Sequence, residues 1–440
     1  MNTNFRLNTT ETEYGDKEIF VLVLGTAVNI DVNRQPVANG DFSYLDFSTG
    51  ALMAANFSSN KVTDTMVTSL DLLTKDSNGN YVITVPYIGS ARLYISFGQS
   101  LTEIPVFAVS GPVNDKNNTV IYDKIEFDNA AHKSNGVVTA PNPNVNLTNV
   151  DFFGLSFTIT AYDVNISKDR IIGYKTSRAD IITAFNAIPD ISGTNGNTSF
   201  MKTLVLKDTN NNLIRILSPK SASPIDLGSN DSEMATGATH RTHFWREYVN
   251  NECYASNRKF TCYSKLYTST NPGPIYYGEI DNTGLNLNIY TDAARTQPYA
   301  SCPTLPRPSN IGNLPDFSNG FSGYNMLDDT PVDWGFLLSA NTEGSAAPNW
   351  ATDPVAMAIL ISICRGCMHM NNADDWVNNA NWYTANAPIF YYSSILHEKA
   401  LDNLAYAFSY DDIFGTDPSI YFKGNPNIIL KFGKINTTKK

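Results

Sequence analysis

The sequence predicts a mainly β protein with an α/β part: a β-sandwich or barrel lobe, a mixed α/β lobe, and a wide cleft between them. Two observations predict it. Short runs rich in β-branched and aromatic residues, separated by Asn, Gly, Pro and Asp, fill the first 165 residues. Near residue 168 the apolar spacing changes from period two to helical. In order, EIFVLVLGTAV, YVITVPYI, ARLYISFG, IPVFAV, VIYDKIEF and VDFFGLSFTITAY read as strands of a sandwich or barrel. Lys168–Ala187 and Thr239–Asn250 then read as helices, with strands Thr203–Lys207 and Leu213–Leu217 between them. Lys259–Tyr267, Pro274–Ile280 and Leu285–Tyr290 return to strand character. Cys302–Trp350, rich in Pro, Gly, Ser and Asn, is expected to wrap the surface. Pro354–Met370 and Pro388–Leu404 read as helices and Ile428–Phe432 as a last strand. The first lobe spans residues 1–165 and the mixed lobe 166–404.

Composition narrows the function. A chain of 440 residues, 42% hydrophobic and 12% aromatic, can bury a substantial core. A net charge of −11 argues against nucleic acid or an anionic membrane as partner, whereas a neutral polysaccharide tolerates an acidic surface. No apolar run reaches the ~18 residues of a membrane span, so no membrane insertion is expected. Met1–Asp16 is polar and shows no apolar signal region, although the composition fits a secreted protein. Sequons at Asn8, Asn56, Asn117, Asn146, Asn165, Asn197, Asn230 and Asn436 permit glycosylation without showing it. Of five cysteines, Cys253 and Cys262 could pair across a hairpin. Cys364-Arg365-Gly366-Cys367 follows a helical run with no βαβ pattern before it, which argues against redox chemistry. His240, His243 and Glu247 share a helical face and could hold a metal, but an exposed amphipathic face explains them as well. No cofactor is expected.

Two acids sit in aromatic, strand-like runs: Glu126 in IEFDN and Asp151 in TNVDFFGLS. A lone acid in such a run either faces water or lines a cleft. Two of them, 25 residues apart with turn-rich sequence between, could face each other from neighbouring strands and flank a glycosidic bond as acid and base. Periodicity alone favours two solvated strand acids over that reading.

These strings resemble the catalytic region of glycoside hydrolase family 64, β-1,3-glucanases that share a fold with thaumatin-like proteins. Ile125-Glu126-Phe127 is similar to the family's V-E-F-T, and Asn146 to Leu155 is similar to N-x-S/T-x-V-D-F-x-G-L. ARLYISFG at 91–98, IRILSP at 214–219, His397-Glu398 and YAFSYDD at 406–412 are also similar to family segments, in the same order. The resemblance implies a thaumatin-like β lobe that the last strand rejoins, at about 405–435, with the α/β lobe inserted. It implies an inverting endo-β-1,3-glucan hydrolase acting on laminarin-like polysaccharide, with Glu126 the general acid, desolvated by its aromatic neighbours, and Asp151 the general base. It implies both acids on strands, facing one groove and not consumed by buried ion pairs. Asp128, Asn129, Thr148, Asp411, Asp412 and His397 are its candidate sugar contacts, although Asp411 or Asp412 could equally anchor a turn. Trp334, Trp376 and Trp382, in polar sequence, are candidate sugar platforms. The alternatives are a thaumatin-like glucan-binding or host-interaction protein that has lost catalysis, and a structural or toxin-like secreted protein. Two departures stand out. Asp128 replaces the usual Thr, and Ala130–Asn144 lengthens the stretch between the acids.

Overall fold

The computed structural model describes residues 2–30, 36–55, 61–105, 117, 119–134, 137–139, 142–187, 205–208, 212–217, 248–306, 353–384, 391–407, 411, 414 and 417–435. In chain order the strands of the first part are β1 (Thr3–Asn8), β2 (Ile19–Ile30), β3 (Pro36–Asp46), β4 (Ala51–Ala54), β5 (Val67–Ser69), β6 (Tyr81–Val85) and β7 (Gly89–Phe97). They continue as β8 (Ile121–Asp128), β9 (His132–Ser134), β10 (Val137–Thr139), β11 (Asn144–Asn146), β12 (Phe152–Phe153), β13 (Phe157–Asp163) and β14 (Lys168–Gly173). Helix α1 (Arg178–Asn186) follows, then β15 (Val205–Lys207), β16 (Leu213–Leu217), β17 (Lys259–Cys262), β18 (Tyr276–Ile280), β19 (Asn286–Tyr290) and β20 (Thr304–Pro306). Helices α2 (Pro354–Cys364), α3 (Ala373–Val377) and α4 (Tyr391–Lys399) precede β21 (Ser419–Tyr421) and β22 (Asn427–Phe432).

Two sheets form a sandwich. One has the order β14-β13-β22-β1-β6, the other β21-β11-β8-β7-β2-β3-β4, with β5 paired to β2. Side chains alternate along a strand, and β8 shows what that does. Asp123, Ile125 and Phe127 point into the sandwich, where Phe127 meets Phe5 of the opposite sheet edge-on at 4.8 Å. Lys124, Glu126 and Asp128 therefore share the outward face. Phe97 of β7 meets Phe432 of β22 in the same interior at 5.6 Å. A three-stranded sheet, β12-β16-β15, lies against the outer side of β8, where Phe152 meets Tyr122 at 5.0 Å. A further sheet, β17-β18-β19-β20, packs with α2 and α3, with Phe260 against Trp376 at 5.1 Å.

The helices start where local chemistry stops the chain from extending. Ser177 accepts from the Asp180 N–H at the head of α1, and Asp353 accepts from Val355 and Ala356 N–H groups at the head of α2, with Pro354 at its first turn. Gly366, at φ +63°, lets the chain turn off the end of α2.

Three expectations about elements are corrected. Lys168–Gly173 is a strand paired to β13, not the first turns of a helix, because the hairpin at Ser167 (φ +53°) carries the chain straight back onto β13. The run VDFFGLSFTITAY is two strands, β12 and β13, separated at Gly154–Ser156. The turn-rich sequence between the acids is not all turn: among its described residues β9 and β10 pair as a hairpin beside β3 before β11 returns to β8.

Candidate active site

Glu126 sits mid-strand on the outward face of β8. Its cross-strand partners are Arg92 on β7 and Asn146 on β11. Cross-strand partners stand ~4.5–5.5 Å apart at Cβ, close enough for long side chains to pair. Arg92 donates to Glu126 Oε1 from both Nε, at 3.0 Å, and a terminal nitrogen, at 2.8 Å. Oε2 takes part in neither bond. Burial works most strongly against the Arg92 charge, but Glu126, Tyr94 and Asp151 together outweigh it and hold the guanidinium above the ordinary arginine range.

Asp151 is not on a strand. It lies in a bend just before β12, at the end of a tightly held segment. Asn149 fixes that segment's start: its N–H donates to Tyr406 O at 2.8 Å, its side chain donates to Phe152 O at 3.1 Å, and its carbonyl accepts from the Tyr392 hydroxyl at 2.6 Å. Asp123 fixes its end. From inside the sandwich Asp123 Oδ2 accepts the N–H groups of Gly154 (2.8 Å) and Leu155 (2.9 Å), while Oδ1 accepts that of Lys124. Burial pushes the Asp123 carboxyl up to about 7, against the pull of those three donors. Gly154 is required by space: a Cβ there would collide with the Tyr122 carbonyl oxygen.

The Asp151 side chain is met by Lys124, which donates to Oδ2 from the outward face of β8. Two residues along that face is Glu126. The four side chains therefore form an alternating row, Arg92, Glu126, Lys124 and Asp151, across β7, β8 and the approach to β12. Both acids are ion-paired, against the expectation from the sequence, and Glu126 has Arg92 beside it in place of a desolvating aromatic pocket. Ile125 and Phe127 are its neighbours in sequence but face the interior. In each pair, however, the acid is on the solvent side. Glu126 is 28% exposed over an Arg92 at 15%, and Asp151 is 13% exposed over a Lys124 at 4%. The cations prop the carboxylates from beneath. Burial lowers the Lys124 ammonium, with Asp151 opposing that shift, and pushes the nearby Tyr94 hydroxyl up to about 12.

The other candidate contacts are placed differently. Asp128 shares the face of Glu126, and its oxygens accept from Ser90 and Ala130 N–H groups, which tie down the strand end. Asn129 is buried, accepts from Ile88 N–H and donates to Thr3 and Pro86. Thr148 is buried beneath the segment it belongs to. Asp411 and His397 are buried together away from the acids. Asp411 Oδ1 accepts from Arg365 and Oδ2 from Ala407 N–H, and His397 Nε2 lies 2.8 Å from Oδ2. That is the turn-anchor reading, extended to an internal tie between α2 and α4. A sugar chain needs a side chain it can reach, so Asn129, Thr148, Asp411 and His397 serve as framework here. Asp412, Trp334, His240, His243 and Glu247 lie outside the described residues.

The tryptophan expectation is corrected at two positions. Trp376 and Trp382 are buried, each indole donating to a backbone carbonyl, and Trp382 lies under Arg365 at 3.8 Å. Polar neighbours mislead here because two large rings anchor an otherwise solvated segment. The cysteines are corrected too. All five are buried free thiols, and burial pushes Cys302 and Cys367 up to about 12, so none is poised to react.

The sequence reasoning missed three site residues. Arg92 and Lys124 follow from period two once β7 and β8 are paired, because Lys124 is two residues before Glu126. Asn146 was seen as part of a motif but not as the cross-strand partner of Glu126. Its Oδ1 is buried with no hydrogen-bond partner among the described residues.

Comparison with known proteins follows the whole chain. The profile of the family described as beta-1,3-glucanase, glycoside hydrolase 64, matches residues 4–429. Comparison with curated protein sequences gives no match. Among solved structures, a beta-1,3-glucanase domain (GH64) from Clostridium beijerinckii is 18% identical, with a TM-score of 0.58 over 98% of each chain. A laminaripentaose-producing beta-1,3-glucanase, solved in complex with laminaritetraose, is 15% identical with a TM-score of 0.60 over 99% of each chain. Another from Paenibacillus barengoltzii is 19% identical with a TM-score of 0.51, covering 98% of this chain and 75% of that one. At such identities the likeness is one of fold.

Proposed function

The chain belongs to glycoside hydrolase family 64, the beta-1,3-glucanases, and from that premise we propose that it cleaves β-1,3-glucan within the chain, with inversion, using Glu126 as general acid and Asp151 as general base. The observation that carries the assignment is the pair of carboxylates held on the solvent side of two cations, the partly buried Arg92 of β7 and the buried Lys124 of β8. Glu126 gives its proton to the glycosidic oxygen. A proton on Oε2 is compatible with Arg92, whose two bonds both end on Oε1. The carboxylate left behind is then stabilised by that guanidinium, which favours the transfer. Asp151 takes a proton from the water that attacks the anomeric carbon from the opposite face.

Inversion needs the two carboxyls ~6.5–9.5 Å apart, with room for a water between them; Glu126 and the Lys124 that holds Asp151 are two residues apart on one strand face, a step of about 6.7 Å. Laminarin-like polymer is the proposed substrate, and action on a polymer too large to enter a cell places the enzyme outside it. The test is proton NMR during hydrolysis of laminarin. First-formed α-anomers support this mechanism. First-formed β-anomers mean retention, and binding without new reducing ends means a glucan-binding protein that does not cleave.

A further inference from the structure

We propose that Lys124 is the positioning residue of Asp151: it aims the base and sets its distance from Glu126. The inference rests on the roles proposed above for the two acids. A residue in a strand has its side-chain direction set by the pleat. Glu126 has that support and Asp151 does not, because the chain bends at 151 and β12 begins only at Phe152. Something else must fix where the carboxylate points.

Two consecutive residues of β8 do so from opposite faces. Inside the sandwich, Asp123 holds the backbone N–H groups of Gly154 and Leu155. Outside it, Lys124 holds the carboxylate of Asp151 itself. The lysine is nearly closed off from water, under an acid that is more exposed than it is. Burying an ammonium costs several kcal/mol unless it is paired, so Lys124 has little freedom to leave Asp151. Its ammonium lies over the Phe152 ring, 5.3 Å from the ring centre, and the Arg215 guanidinium covers the same ring at 5.2 Å. That packing restricts where the ammonium can go, and with it the carboxylate it holds.

The test is kinetics on laminarin with Lys124→Met, Lys124→Arg and Asp151→Asn. Loss of aim should lower kcat by about 10²-fold with KM changed less than about 3-fold, because glucan binding does not use the lysine. Lys124→Arg keeps a cation on a similar stem and should recover at least ~10-fold of that loss. A folded Lys124→Met with kcat within ~3-fold of wild type overturns the inference. So does a folded Lys124→Arg as slow as Lys124→Met. If Lys124→Met does not fold, Lys124→Arg decides: kcat within ~10-fold of wild type supports the role, and a ~10²-fold loss in the folded protein overturns it. Asp151→Asn separates the layers, since wild-type activity in that variant sinks the base assignment itself, whatever Lys124 does.

Discussion

At the scale of residues, the site turns on what happens to charge when a proton moves. In the proposed reaction Glu126 would become an anion beside Arg92 and Asp151 neutral beside Lys124, so each cation would be matched to its acid at a different stage. Glu126→Gln keeps the shape and still accepts from Arg92 but cannot release a proton. It should lose ~10²–10⁴-fold in rate on laminarin while glucan affinity, read by affinity electrophoresis, stays near wild type. Asp151→Asn should lose a similar factor. Wild-type turnover in the Gln variant would remove Glu126 from the chemistry.

Asp123 gives a prediction about pH. Burial raises its carboxyl to about 7 in the folded protein, against 3.8 for an unburied Asp. The native state therefore binds the extra proton between those values, so the stability it contributes is present below about 3.8 and is lost as pH rises to about 7. The full difference is about 4 kcal/mol at ~1.36 kcal/mol per unit. Urea midpoints at pH 4.5 and 7.5 should fall more in wild type than in Asp123→Asn. Equal falls would mean that Asp123 does not titrate in that window.

At the scale of elements, the segment from Asn149 to Leu155 is held more closely than its lack of regular structure suggests. Gly154→Ala drives a methyl into the Tyr122 carbonyl and must displace the segment from β8. We expect a cost of ~3 kcal/mol and a drop in activity larger than the drop in stability, because Asp151 is three residues away. Thermal melts and kcat measured on the same preparation check it, and an unchanged melting temperature would contradict the packing described. This segment also shows what could be read from sequence. The runs that became β7, β8, β18 and β22 were legible because each alternates or stays apolar over five or more residues. The bend at Asp151 was not, since Val150, Phe152 and Phe153 continue an apolar run across it. β1, TNFRLN, escaped for the opposite reason: it is short, and its outward positions are polar. Glu126 and Asp151 were legible as acids out of place. Their cations were not, because pairing Arg92 with Glu126 needs the register of two strands 34 residues apart in sequence.

At the scale of the whole molecule, the fold is held by packing and buried polar ties, without disulfides. Thiol titration of the native protein should be slow, and titration in guanidinium should give five thiols per chain. Reductant should leave the melting temperature unchanged. A fall on reduction would show a covalent link that the structure does not contain.

The place of β22 bears on how such a chain is made. It lies between β13 and β1 and runs parallel to β1, with Asn4 in register with Asn427. During synthesis β1 emerges about 423 residues (427 − 4) before its neighbour. At ~5–20 residues per second the interval is on the order of 20–80 s. Throughout it, the edges of β1 and β13 are open to any other strand, and the half of the sandwich that backs the catalytic face has a gap at its centre. The nascent chain is thus an incomplete sheet awaiting its last piece. Its yield in a cell depends on what shields those edges, so a chaperone that covers strand edges, or a slower rate of initiation that keeps nascent chains apart, should raise the soluble fraction more than any stabilising substitution at the surface.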